Sequence, residues 1–154
     1  MDSDNPLFAI QERIQDLLFA STYFADLTDD QVLTEKIGNL EFAILNKLLP
    51  LGFGLVITTA EGKAVPGSDW NALVTNEDLN ISVITNPTTD PDRNPLEAVW
   101  QVIKAVHGQS VTKETPVVER EIDYFRITAH QRRSDAPPDL HVHELHVSIG
   151  GRLL

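Results

Sequence analysis

The stretch Leu79-Asn80-Ile81-Ser82-Val83-Ile84-Thr85-Asn86-Pro87 decides the fold of this chain. Leu79, Ile81 and Val83 alternate with Asn80 and Ser82, and a strand sends successive side chains to opposite faces. The pattern predicts a half-buried strand over 78–85. Asn86-Pro87-Thr88-Thr89-Asp90-Pro91-Asp92-Arg93-Asn94-Pro95 follows, a turn-rich loop that feeds the best-marked helix in the chain. Asn94 is the expected N-cap, Pro95 takes the first helical position, and Glu97 is placed to return a bond to the cap. Leu96, Val99, Trp100, Ile103 and Val106 make its apolar stripe. Lys104 and His107 fall in the last turn, where positive charge suits the helix dipole, and Gly108 ends it.

Toward the N-terminus, Gly54-Leu55-Val56-Ile57-Thr58-Thr59 is short, β-rich and bounded by glycine, which predicts another strand. Between the two strands lies a segment of about 60–77, rich in Gly, Pro, Asp and Asn, with Trp70 in its middle. Loops of that length are uncommon in compact domains and are often functional. Trp70 is a candidate partner anchor, or else a cover for its own sheet.

Asn5-Pro6 opens a helix over 6–19. Leu7, Ile10, Ile14, Leu17 and Leu18 recur in it at helical spacing, with Gln11, Glu12, Arg13, Gln15 and Asp16 on the wet side. Thr28-Asp29-Asp30-Gln31 has the form of a capping box, but Ile37-Gly38-Asn39 reads as a break followed by a fresh N-cap. A helix is therefore expected over 39–49, stopped by Pro50 and Gly52, with 30–37 irregular or partly extended.

Toward the C-terminus, Phe125, Ile127 and Ala129 alternate with Tyr124, Arg126 and Thr128. Ser134-Asp135-Ala136-Pro137-Pro138-Asp139 turns the chain, and Leu140 to Ile149 returns antiparallel. Runs of strands with helices to one side predict an α+β fold. The expectation is a mixed or antiparallel sheet of about four to five strands flanked by about three helices, in a single domain over 1–154.

The chain has no cysteine, which excludes disulfides, thiolate metal sites and a cysteine nucleophile. Its net charge of −11 is lopsided: residues 1–100 carry all of it, and residues 101–154 are balanced. So acidic a surface repels phosphate backbones, which argues against sequence-specific binding of nucleic acid. No apolar run is long enough to span a bilayer, so no membrane partner is expected. The acidic Met1-Asp2-Ser3-Asp4-Asn5 is unlike a signal peptide, so a cytoplasmic location is expected.

His141-Val142-His143-Glu144-Leu145-His146 raises the question of a metal site. On a strand His141 and His143 share a face that continues into Leu145, Val147 and Ile149, while His146 points the other way with Val142 and Glu144. Three histidines cannot then converge on one ion, and a catalytic zinc usually takes three protein ligands. A third ligand would have to come from His107, from His130 on the partner strand, or from a distant carboxylate. No H-E-x-x-H, dinucleotide-binding, Walker or G-x-S-x-G pattern is present. The expectation is no catalytic, cofactor-binding or metal-binding residue, and no cofactor. A metal-dependent enzyme using the strand histidines and a generic cytoplasmic protein-interaction module are the alternatives.

A longer succession is more distinctive. Ile37-Gly38-Asn39-Leu40-Glu41 leads a helix into Leu51-Gly52-Phe53-Gly54-Leu55-Val56-Ile57-Thr58-Thr59. Later come the strand ending in Asn86-Pro87, then Pro95-Leu96-Glu97-Ala98-Val99-Trp100 and the helix end Val106-His107-Gly108. This order over about 5–149 resembles the small tail-associated proteins of tailed phages and prophages, of the tail terminator or tail completion kind (minor tail protein U-like). The resemblance implies a non-enzymatic virion assembly protein with a helix-flanked sheet. It implies a homo-oligomeric ring, commonly a hexamer, that caps the tail tube and contacts the head connector proteins. The chain would then work in the bacterial cytoplasm during assembly and end in the virion tail. The loops 60–77 and 86–94 and the tail Leu153-Leu154 are candidate contacts. The chain departs from the family in its many strand histidines and in showing no obvious basic patch.

Overall fold

The computed structural model describes residues 5–62, 77–111 and 123–151. Trp70, the bulk of the loop around it and Leu153-Leu154 lie outside the described residues.

Helix α1 spans Pro6–Ala20, and the side chain of Asn5 accepts the Leu7 N–H at 3.0 Å. Ile10, Ile14 and Leu18 face the core as their spacing requires. The capping box at Thr28 forms but starts only a single 3-10 turn, Asp29–Gln31. Strand β1 follows at Val32–Thr34, where an irregular or partly extended stretch was expected. All of Val32, Leu33 and Thr34 are buried, because helices cover both faces of the sheet at this corner.

Helix α2 begins at Leu40–Ala43, with the Asn39 side chain accepting the Phe42 N–H at 3.0 Å. It widens into a π-helical turn, Ile44–Leu48, tightens into a 3-10 turn, Leu49–Leu51, and stops at Gly52 with φ of 82°. The helix expected over 39–49 thus changes pitch twice and runs past Pro50. Proline has no N–H to give to the preceding turn and crowds the carbonyl four residues back, so regular α-helical bonding fails there.

The other strands are β2 (Phe53–Gly62), β3 (Glu77–Thr85), β4 (Asp123–Arg132) and β5 (His141–Gly151). Helix α3 spans Pro95–Val106. The sheet order is β1-β2-β3-β5-β4, with β1 and β2 parallel and every other pair antiparallel. The fold is α+β.

One face of the sheet carries Leu55, Ile57, Leu79, Ile81, Val83, Phe125, Leu145 and Val147 beneath α1 and α3. The smaller α2 covers only a corner of the other face, over Leu33, Val56 and Ile84. Gly54 makes that corner possible, because a Cβ on it would overlap the branch atoms of Leu48.

Three expectations are corrected. The buried row of α3 is Ala98, Val99, Val102 and Val106, whereas Leu96 is 64% and Trp100 53% exposed. Small side chains let the helix approach the sheet closely, and an indole in that row would hold it off. Glu97 does not return a bond to the cap. Its carboxylate accepts from Gln101 Nε2 at 2.9 Å, and Asn94 Oδ1 alone accepts from the Leu96 and Glu97 N–H groups. In α1, Gln11 and Gln15 are not on a wet side, since Gln11 is only 1% exposed. Gln11 accepts the Glu35 N–H at 2.8 Å, and Gln15 donates to the Val32 carbonyl at 2.7 Å. Both amides thus satisfy backbone groups along the outer side of β1.

Candidate functional site

The strand histidines are placed by sheet register. His141 lies opposite Thr85. His143 lies between Val83 on β3 and Arg132 on β4. Leu145 pairs with His130. The alternation of β4 is broken by a bulge at Thr128, so Ala129 leaves the face of Phe125 and Ile127, and His130 and Arg132 join it. His130, Arg132, His141 and His143 therefore share the helix-side face at one end of the β4–β5 pair.

Burial differs sharply within this group. His143 is 7% exposed, and its buried Nδ1, like Thr85 Oγ1, meets no hydrogen-bond partner among the described residues. Burial pushes the His143 imidazole below its ordinary pKa, and the neighbouring Arg132, His141 and His130 push the same way. His130 and Arg132 stand in the open.

His146 lies on the opposite face, where Asn80 and Ala129 are its register partners. Its Nδ1 is 2.8 Å from Thr128 Oγ1, so the bulge residue positions the ring. Its Nε2 is 4.0 Å from the Asp78 carboxylate. His107 caps α3, and its Nδ1 accepts the Ile127 N–H at 3.0 Å. The five histidines are thus split over three places. Among the described residues no group of three His, Cys, Asp or Glu side chains is arranged to hold a metal ion.

The turn after β4 is tied down by Arg133. Its guanidinium binds Asp135 through two bonds of 2.9 and 2.8 Å and Glu144 at 2.7 Å. Arg133, Ser134, Pro137 and Leu140 line a hollow of about 460 Å³ together with Arg132. Arg133 is paired with Asp135 and Glu144, whereas Arg132 makes no ion pair among the described residues. Arg132 and Arg133 adjoin in the sequence, and strand pairing sets His143 across from Arg132.

The loop 86–94 is anchored rather than free. Arg93 donates to the Tyr23 carbonyl at 3.1 Å and to both Asp26 oxygens at 2.9 and 2.7 Å. Its guanidinium also lies 5.0 Å from the Tyr23 ring centre and 4.9 Å from that of Phe53. Burial works to lower the Arg93 pKa, but the bonds to Asp26 and Tyr23 outweigh it and raise the value. No described helix is long and apolar enough to cross a membrane. No protein-family model matches the chain, and no curated protein matches it.

Proposed function

We propose that this chain is a non-enzymatic phage or prophage virion assembly protein of the tail terminator kind. It forms a homo-oligomeric ring, six-membered as in the family it resembles, that caps the tail tube and meets the head connector. It acts in the bacterial cytoplasm during assembly and stays in the virion tail.

The distribution of exposed apolar side chains carries this reading. Phe42 and Leu45, each 54% exposed, stand three residues apart on α2 and its π-helical continuation. Leu96 and Trp100 stand four residues apart on α3, on the opposite side of the sheet. Side chains at these spacings are neighbours on a helix surface, so each pair is a patch rather than scattered exposure. Two unlike patches on opposite sides suit a heterologous contact, head to tail, which closes into a ring when the rotation fits. The acidic balance of residues 1–100 suits a lumen through which DNA passes without adhering.

The test is to mix purified protein with tail tubes and image the ends by electron microscopy. Capped ends and ring-shaped end views are expected. Protein that remains monomeric and never binds a tube end overturns the proposal.

A further inference from the structure

Among the described residues, the outer half of β4 has no strand or segment paired along its outward edge. Its first half is covered by the segment after α3. His107 and the Gln109 carbonyl accept the Ile127 and Phe125 N–H groups, and the Gly108 N–H donates to the Phe125 carbonyl. Past the bulge the pattern changes. The Arg133 N–H bonds the Val142 carbonyl at 2.8 Å, so by antiparallel alternation Ala129 and Gln131 turn their backbone groups toward β5. His130 and Arg132 turn theirs outward, where no described residue meets them. The opposite edge of the sheet is closed, because β1 is three residues long and Gln15 and Gln11 occupy the Val32 carbonyl and the Glu35 N–H.

We propose that this edge takes an extended acidic segment of a partner protein by strand addition. Backbone bonds at His130 and Arg132 supply the pairing, as in other strand-addition complexes. Side chains supply the selection. His130 and Arg132 both project to the helix-side face, beside His141 and the buried His143, and Arg132 has no carboxylate partner among the described residues. A partner strand with carboxylates on alternate residues sets them directly across from this row.

A second copy of β4 is the wrong occupant. Antiparallel pairing of two such edges sets the Arg132 and His130 rows against each other, and like charges directly opposite are destabilising. The bulge at Thr128 limits the addition to the outer half of the strand. The inference is independent of the ring, since it needs only the edge left unpaired among the described residues and its charge.

The test uses the full chain and two fluorescein-labelled peptides, Thr-Glu-Val-Glu-Val-Glu-Thr and its lysine counterpart Thr-Lys-Val-Lys-Val-Lys-Thr. Fluorescence anisotropy reads affinity, and amide hydrogen exchange reads location. The glutamate peptide is expected to bind and to slow exchange at His130 and Arg132, with the lysine peptide weaker by at least about tenfold. Arg132→Glu, at an exposed position, should reverse that preference. His130→Pro removes one outward N–H at an edge site that tolerates proline, and should abolish binding of both peptides while the circular dichroism spectrum is unchanged. No binding, equal binding of the two peptides, an unaltered preference in Arg132→Glu, or protection centred on Leu96 and Trp100 instead of β4 each overturns the proposal.

Discussion

Gly54→Ala tests the packing of the α2 corner. Gly54 pairs with Ile84 in the middle of the sheet, and a methyl group on it would overlap Cγ and Cδ1 of Leu48. Two effects compete. Alanine loses less backbone freedom on folding than glycine, which favours the variant by about 0.5–1 kcal/mol. Overpacking a filled core costs about 1–3 kcal/mol. The second effect wins, because Leu48 is fully buried among Leu33, Val56 and Ile84 and has nowhere to swing. A net loss of about 1–2 kcal/mol is expected. Leu48→Ala alone should cost about 2–5 kcal/mol as a cavity-forming change. The double variant is decisive: removing Leu48 makes room for the new methyl group, so Gly54→Ala should cost nothing further in that background. Urea unfolding of the four proteins measures the coupling. Additivity to within about 0.5 kcal/mol would show that Gly54 is not kept small by Leu48 and would refute the argument.

Further outcomes follow from single sites. His143 is held below its ordinary value of 6.5, so the folded state disfavours its charged form. Its contribution to stability is complete above about pH 6.5 and is lost as pH falls through the lowered folded value; His143→Gln should flatten urea midpoints measured between pH 7.5 and 5, and parallel profiles would contradict this. Gln11→Ala should cost about 1–3 kcal/mol by stranding the Glu35 N–H and Thr59 hydroxyl, with faster amide exchange concentrated in β1 and at Glu35; unchanged exchange there would show the bonds to be dispensable. Trp100→Ala, at an exposed helix position, should alter stability by less than about 0.5 kcal/mol. If α3 is an assembly surface, the same variant should weaken tube-end capping at least about tenfold; full capping by Trp100→Ala would remove that patch from the proposal.

The edge site was only partly legible in the sequence. The split of His141 and His143 from His146 follows from strand alternation, which is local. The arrival of His130 and Arg132 on the same face depends on the bulge at Thr128, and nothing in Ile127-Thr128-Ala129 marks one. Gln11 and Gln15 carried no signal either, because a glutamine between hydrophobic residues of a helix reads as solvent-facing until a strand edge is known to lie across from it. A sharper reading of α3 was within reach: Ala98, Val99, Val102 and Val106 also keep the helical period and are the smaller set, which is what close helix–sheet contact favours.

What the sequence determined by itself is the set of local structures. Asn5-Pro6, Asn39 and Asn94-Pro95 open the three helices because an asparagine side chain and a pre-set proline act within a few residues of themselves. The alternation in 79–83 and 141–149 makes strands for the same local reason. Tertiary structure decided which strand lies beside which, and so the parallel β1–β2 pair, the covered and open edges, and the rotation of α3. Those outcomes depend on fit and register between residues distant in the chain, such as Leu48 against Gly54 and Arg132 beside His143. A free energy shared between two distant side chains leaves no mark in the neighbourhood of either one.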